Sequence, residues 1–112
     1  MRLLNAARYS LAGLYHALKH EQAFTYEFVV LVFVCIAVCV VQFGMMQKIF
    51  AVFAWLIVMC LELVNSAVEK TLDLITKDYN HEIKAAKDML SGSVFIAVCF
   101  NIILWVIMII YS

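Results

Sequence analysis

Five polar side chains recur along one stretch of an otherwise apolar segment, and three of them are acids. They are Glu62, Asn65, Ser66, Glu69 and Asp73. Because each residue of an α-helix advances about 100° around the axis, all five fall within one stripe about 100° wide. Carboxylate oxygens are hard ligands that suit Mg²⁺, and a buried carboxylate can accept a proton as a general base. The stripe therefore predicts a site for metal-dependent chemistry. The alternative is a polar seam between packed membrane helices, although three acids in register repel each other.

A second polar group follows after a short loop. It consists of Lys84, Lys87, Asp88 and Ser91. A lysine facing an acidic stripe is what a metal-bound polyphosphate needs, because it neutralises charge on the transferring phosphoryl group. A solvated flank is the competing interpretation, and it suits Lys84 best.

A further acidic pair, Glu21 and Glu27, precedes the first long apolar segment. The two carboxylates could equally be interfacial groups that reach water.

The composition indicates that the chain folds in a membrane rather than in water. Of 112 residues, 67% are hydrophobic and only 14% are charged, which is too little polar surface for a soluble domain of this size. Soluble kinase, dehydrogenase and hydrolase folds are excluded by size. The net charge of +0 gives no reason to expect a nucleic acid partner. The glycines are isolated and form no phosphate-binding loop, so a nucleotide must be held by side chains on helices.

The hydropathy pattern predicts an all-α membrane protein with a single membrane kinase domain over residues 1–112. Leucines and alanines at three- and four-residue spacing predict an N-terminal amphipathic surface helix over 2–20. Three transmembrane helices are predicted at about 24–43, 49–76 and 84–111, with a tight turn before the second and a polar loop before the third.

The basic residues are distributed asymmetrically between the two sides of these segments. Of eight lysines and arginines, only Lys48 lies in the link between the first two spans. The positive-inside rule therefore places the N-terminus and the second loop in the cytoplasm. All eight acids lie on or toward that side, so the predicted site faces the cytoplasm.

These motifs resemble one family. The block Glu62-Leu63-Val64-Asn65-Ser66-Ala67-Val68-Glu69, with Asp73 and the downstream Ala86-Lys87-Asp88, closely resembles the bacterial integral-membrane diacylglycerol kinases. The likeness covers nearly the whole chain and includes Tyr9-Ser10-x-x-Gly13-Leu14 and Glu21-x-Ala23-Phe24. It implies a homotrimer in the bacterial inner membrane, with active sites at subunit boundaries. Such an enzyme transfers the γ-phosphate of ATP to the hydroxyl of diacylglycerol and forms phosphatidic acid.

The same resemblance implies a role for each matching residue. Glu62 is the general base, and Glu21 and Glu69 hold the Mg²⁺ that accompanies ATP. The residues implied to bind ATP are Arg2, Tyr9, Glu21, Asn65, Glu69, Asp78, Lys87 and Asp88. The residues implied to bind the lipid are Glu27, Glu62 and Ser91.

Three other functions are considered. Undecaprenol kinase is favoured by Asp73-Leu74-Ile75-Thr76 and by Lys84-Ala85-Ala86-Lys87-Asp88, whereas the Tyr9–Leu14 stretch and Glu27 favour diacylglycerol. Asn80 also departs from the histidine usual in the family after the loop tyrosine. A small ion-coupled transporter would spread its acids through the membrane, but here they crowd to one side. A purely structural membrane subunit is the third alternative.

Overall fold

The computed structural model describes residues 1–111, and the regular structure in that range is α-helical. It comprises α1 (Arg2–His20), α2 (Gln22–Val40), α3 (Met45–Ile75) and α4 (His81–Ile110). The prediction of an all-α chain is confirmed.

Helices α2, α3 and α4 are long and apolar enough to cross a membrane, as predicted. The 19 residues of α2 extend about 28 Å, close to the thickness of a bilayer's hydrocarbon core. Helices α3 and α4 have 31 and 30 residues, so each is about 45 Å long and extends well beyond that core. Their outward side chains are large and apolar (Phe95 is 68% exposed), which suits a lipid environment rather than water.

A single residue, Glu21, separates α1 from α2. The hydroxyl of Thr25 in α2 donates to the backbone oxygen of Leu18 in α1 at 2.7 Å, which satisfies a carbonyl of the last turn of α1. Ala17 and Phe24, on either side of the corner, are buried together with Met59 of α3. The corner is therefore fixed against α3, and with it the position of Glu21.

Helix α3 begins at Met45, one turn before the apolar run that opens the predicted second span. The backbone N–H of Gly44 donates to Oε1 of Gln47 at 2.9 Å and caps the first turn. The helix begins earlier because this local hydrogen bond, rather than apolar character, sets where it can start.

Helix α3 is central, since it packs against both α2 and α4. Ala51, Ala54 and Val58 on α3 are almost completely buried. Small side chains let helix backbones approach closely, and this drives helix association in lipid. The polar stripe thus lies on the helix that packs against both neighbouring spans.

Asn101 connects α4 to α3 deep in the apolar region. Its side-chain Nδ2 donates to the backbone oxygen of Ala54 on α3 at 3.0 Å and to that of Ala97 on its own helix at 2.8 Å. Only 4% of Asn101 is exposed. An amide hydrogen bond between helices resists their separation in a medium that offers few other partners.

We expect Asn101→Ala to lower the free energy of unfolding in detergent micelles by about 1 kcal/mol, because the inter-helix hydrogen bond is lost. Circular dichroism during denaturant titration measures this change. Ile102→Ala is the control, since Ile102 is 59% exposed on the same helix. Equal stability of the two variants would contradict the role given to Asn101.

Candidate active site

The polar stripe of α3 runs from a buried end to an accessible end. Glu62 and Asn65 are buried, with 8% and 9% exposed, whereas Glu69 and Asp73 are partly exposed near the end of the helix. Glu62 and Glu69 are two turns apart, or about 10 Å along the axis. One carboxylate therefore lies within the packed part of the structure, and the other is partly accessible from outside the chain.

Carboxylates on other elements lie within electrostatic range of this stripe. Glu62 is close enough to Glu69 and to Glu21, at the α1–α2 corner, to experience both negative charges. Glu27, in the second turn of α2, is close enough to Glu62 to interact in the same way. Like charges gathered at low dielectric repel strongly, so the arrangement calls for a cation or a proton. Four predicted site residues are thus brought into one region, called here the acidic cluster (Glu21, Glu27, Glu62 and Glu69).

Two oxygen atoms in this region lack partners. Oε1 of Glu27 and Oδ1 of Asn65 are buried and have no hydrogen-bond partner in residues 1–111. Buried acceptors are nearly always satisfied, so each of these atoms is suited to receive a donor or a cation from a bound molecule. Trp55 of α3 donates its Nε1–H to the backbone oxygen of Glu27 at 2.8 Å, which ties α2 to α3 beside the cluster.

The donor set fits a magnesium ion that arrives with its own ligands. Within the described residues, no group of three or more His, Cys, Asp or Glu side chains is arranged to hold a metal. Mg²⁺ in nucleotide sites commonly takes only one or two protein carboxylates, and phosphate oxygens and water supply the rest. The carboxylates of Glu21 and Glu69 and the unpaired oxygen of Asn65 are hard oxygen donors of the kind this ion prefers.

Basic side chains lie at the accessible end of the stripe. Nζ of Lys87 on α4 is 2.8 Å from Oδ1 of Asp73 on α3, so this ion pair joins the polar ends of the two helices. Lys87 also experiences the charge of Glu69. The predicted phosphate-binding lysine thus lies next to the acidic cluster.

One lysine at the cluster was not among the predicted site residues. Nζ of Lys70 on α3 is 2.9 Å from Oε1 of Glu21. The sequence did indicate that Lys70 borders the polar stripe, because Lys70 follows Glu69 and lies one turn beyond Ser66 on the same side of the helix. What the sequence could not show is that Glu21 faces it.

A cleft of about 520 Å³ lies between α1 and α3 beside this ion pair. Its walls are mostly apolar, and the polar groups Tyr9, Glu21, Ser66 and Lys70 lie among them. A concave apolar site with a few polar groups is the usual form of a small-molecule site. Two predicted ATP-binding residues, Tyr9 and Glu21, therefore border the same space.

The other predicted site residues lie on the exposed surface of the single chain. Asp88 pairs with Lys84 of its own helix at 2.7 Å. The backbone N–H of Asp78 is bonded to Thr76 in the α3–α4 turn. Arg2 lines a shallow recess at the start of α1, and Ser91 is exposed on α4. Within one chain, the structure does not bring these four residues into the acidic cluster.

Fold and site together define a small helical membrane protein with acids and lysines gathered where its spans become polar. The family model for prokaryotic diacylglycerol kinase matches residues 8–109, and the chain belongs to that family. This confirms the family resemblance found in the motifs. Membership makes the chain a kinase, and a kinase implies ATP as co-substrate.

Curated relatives agree with this assignment. The chain is 41% identical to the diacylglycerol kinase of Haemophilus influenzae over 107 residues, which cover 92% of this chain and 87% of the relative. It is 33% identical to the diacylglycerol kinase of Escherichia coli K12 over 107 residues, covering 96% and 88% respectively. For the diacylglycerol kinase of Pseudomonas aeruginosa the identity is 34% over 105 residues, covering 93% and 85%.

An active site and a structural seam predict opposite effects on stability. We expect Glu27→Gln and Glu62→Gln each to keep or raise the free energy of unfolding, by up to about 1 kcal/mol, because a neutral amide removes like-charge repulsion at a buried position. Denaturant titration in micelles measures the change. Glu82→Gln, on the exposed first turn of α4, is the control. Destabilisation by both cluster variants would identify the stripe as a seam.

Proposed function

We propose that the chain is an ATP-dependent diacylglycerol kinase that phosphorylates the lipid hydroxyl at the cytoplasmic face of the bacterial inner membrane and forms phosphatidic acid. The observation that supports this proposal is the acidic cluster, which extends along α3 from buried Glu62 to partly exposed Glu69. A lipid alcohol approaches such a site from the bilayer, and a nucleotide approaches it from water. The names of the relatives support diacylglycerol as the alcohol.

In this proposal Glu62 is the general base. Glu62 directly follows the apolar run Ile49–Leu61 of α3, so in this proposal its carboxylate lies at the depth that a lipid hydroxyl reaches. The hydroxyl proton passes to a carboxylate oxygen of Glu62 as the hydroxyl oxygen bonds to the γ-phosphorus. The bond from that phosphorus to the bridging oxygen of ATP breaks, and ADP leaves. Glu27 and Ser91 are assigned to the lipid.

Glu21 and Glu69 would hold Mg²⁺, which when bound neutralises negative charge on the β- and γ-phosphates. Asn65 offers an unpaired oxygen one helical turn before Glu69 on α3, and the charge of Lys87 lies within electrostatic range of Glu69. Arg2, Tyr9, Asp78 and Asp88 complete the proposed set of ATP-binding residues.

The proposed assembly is a homotrimer with α1 at the membrane surface. Leu3, Leu4 and Leu11 on α1 are 65–78% exposed, so this apolar face needs lipid or another subunit to cover it. Active sites at subunit boundaries would also give a role to Arg2 and Ser91, which lie outside the acidic cluster of their own chain. The proposed topology has the N-terminus and the α3–α4 turn in the cytoplasm.

Undecaprenol is the second candidate substrate. The segment Asp73-Leu74-Ile75-Thr76 at the end of α3 resembles the undecaprenol branch of the family. Both substrates are bilayer lipids with one free hydroxyl, which belongs to a glycerol diester in diacylglycerol and to a polyisoprenoid alcohol in undecaprenol. The phosphoryl transfer required is the same.

The test is a phosphorylation assay of the purified protein in mixed micelles with Mg·ATP and a panel of lipid alcohols. We expect ATP consumption to require the lipid, with diacylglycerol turned over faster than undecaprenol. Faster turnover of undecaprenol would reassign the substrate. ATP consumption that does not depend on any lipid alcohol would contradict a lipid kinase.

We expect Glu62→Gln to lower kcat by at least about 100-fold while nucleotide affinity changes little, because only the proton acceptor is lost. Turnover and binding of a non-hydrolysable ATP analogue measure the two quantities separately. Glu82→Gln serves as the control for removing one acid from the same side. Wild-type turnover of Glu62→Gln would show that another group takes the proton.

A further inference from the structure

Three ion pairs are formed by the described residues, and each joins a residue with a predicted ATP-binding or metal-binding role to a partner that was given no such role. They are Glu21 with Lys70, Lys87 with Asp73, and Asp88 with Lys84. The pair of Glu21 with Lys70 differs from the others because its acid is a proposed metal ligand. A lysine ammonium thus occupies the carboxylate that the proposed magnesium ion would need.

Lys70 is held in a way that lets it move. Its side chain is 56% exposed and that of Glu21 is 24% exposed, so water still reaches the pair. Ion pairs of this kind contribute little to stability, and a lysine carries its charge on a flexible four-carbon stem. Lys70 also lines the cleft between α1 and α3 together with Tyr9 and Ser66. Its ammonium can therefore shift within the site without any movement of the helices.

We propose that Lys70 is a positioning residue that couples cation binding to nucleotide binding. This inference rests on the proposed function. Without nucleotide, the Lys70 ammonium neutralises Glu21. When the nucleotide enters with its cation, Glu21 turns to the cation and the ammonium moves to a phosphate oxygen.

The coupling follows from competition for one carboxylate. A divalent cation that arrives alone must displace the ammonium, which then has no anion to receive it. A cation that arrives with a polyphosphate brings the anion that receives Lys70. The lysine therefore disfavours the bare cation and favours its complex with nucleotide. Such coupling is reciprocal, so each ligand must strengthen the binding of the other by the same factor.

The test is binding of Mn²⁺, as a stand-in for Mg²⁺, measured by electron paramagnetic resonance with and without a non-hydrolysable ATP analogue. In Lys70→Gln we expect Mn²⁺ alone to bind more tightly and the analogue to bind more weakly. The factor by which one ligand strengthens the other should fall about tenfold, a typical size for linkage between two sites. Lys70→Arg keeps the charge and should keep the coupling. A merely structural role would weaken both ligands together.

Two further variants make the outcome decisive. Lys77→Gln removes a positive charge from the α3–α4 turn and should leave the coupling unchanged. If Lys70→Gln behaves like Lys77→Gln while Glu21→Gln weakens Mn²⁺ binding, the inference is overturned and the proposed metal site stands. If Glu21→Gln leaves Mn²⁺ binding unchanged, the metal site of the proposed function fails and the inference fails with it.

Discussion

The structure depends on one constraint: the negative charges of the acidic cluster lie among apolar side chains and must be compensated. Burial of a carboxylate without a cation, a proton or hydrogen bonds is costly. The acidic cluster places Glu62 and Glu27 within range of each other, and Oε1 of Glu27 is buried without a partner. Replacing a buried acid with an apolar residue of similar size would remove this cost. The presence of these acids is understandable if the compensating groups belong to molecules that come and go.

The rest of the fold holds these charges in place. Small residues on α3 let α2 and α4 approach it closely, and the hydrogen bond from Trp55 ties α2 to α3 beside Glu27. Helices α3 and α4 are each longer than the hydrocarbon core is thick, and Glu69 and Lys87 lie toward the ends that the α3–α4 turn joins. The packed helices therefore hold a buried carboxylate, Glu62, and more accessible charged groups, Glu69 and Lys87, in one continuous site. This is the arrangement that a reaction between a membrane alcohol and a soluble nucleotide requires.

The sequence predicted the class of fold and the family because both depend on patterns along the chain. Three apolar runs and one polar stripe can be read without coordinates. The sequence did not predict that α3 begins at Met45, since a hydrogen bond between Gly44 and Gln47 sets that start. Nor did it predict the pairing of Lys70 with Glu21, which lie 49 positions apart and meet only through the α1–α2 corner. Contacts of this kind depend on how helices are joined, and periodicity contains no information on that.

The α1–α2 corner has a mechanical consequence. Glu21 is the only residue between the two helices, and Thr25 of α2 is hydrogen-bonded to Leu18 of α1. The junction therefore leaves little freedom for α1 to change its angle to α2. A membrane helix adjusts its tilt to the thickness of the bilayer around it. Because Ala17 and Phe24 at the corner also pack against Met59 of α3, a tilt of α2 alone would break these contacts, so the corner and α3 must tilt together. The packing at the corner thereby keeps the spacing of Glu21 and Glu69 constant when the thickness of the surrounding bilayer changes.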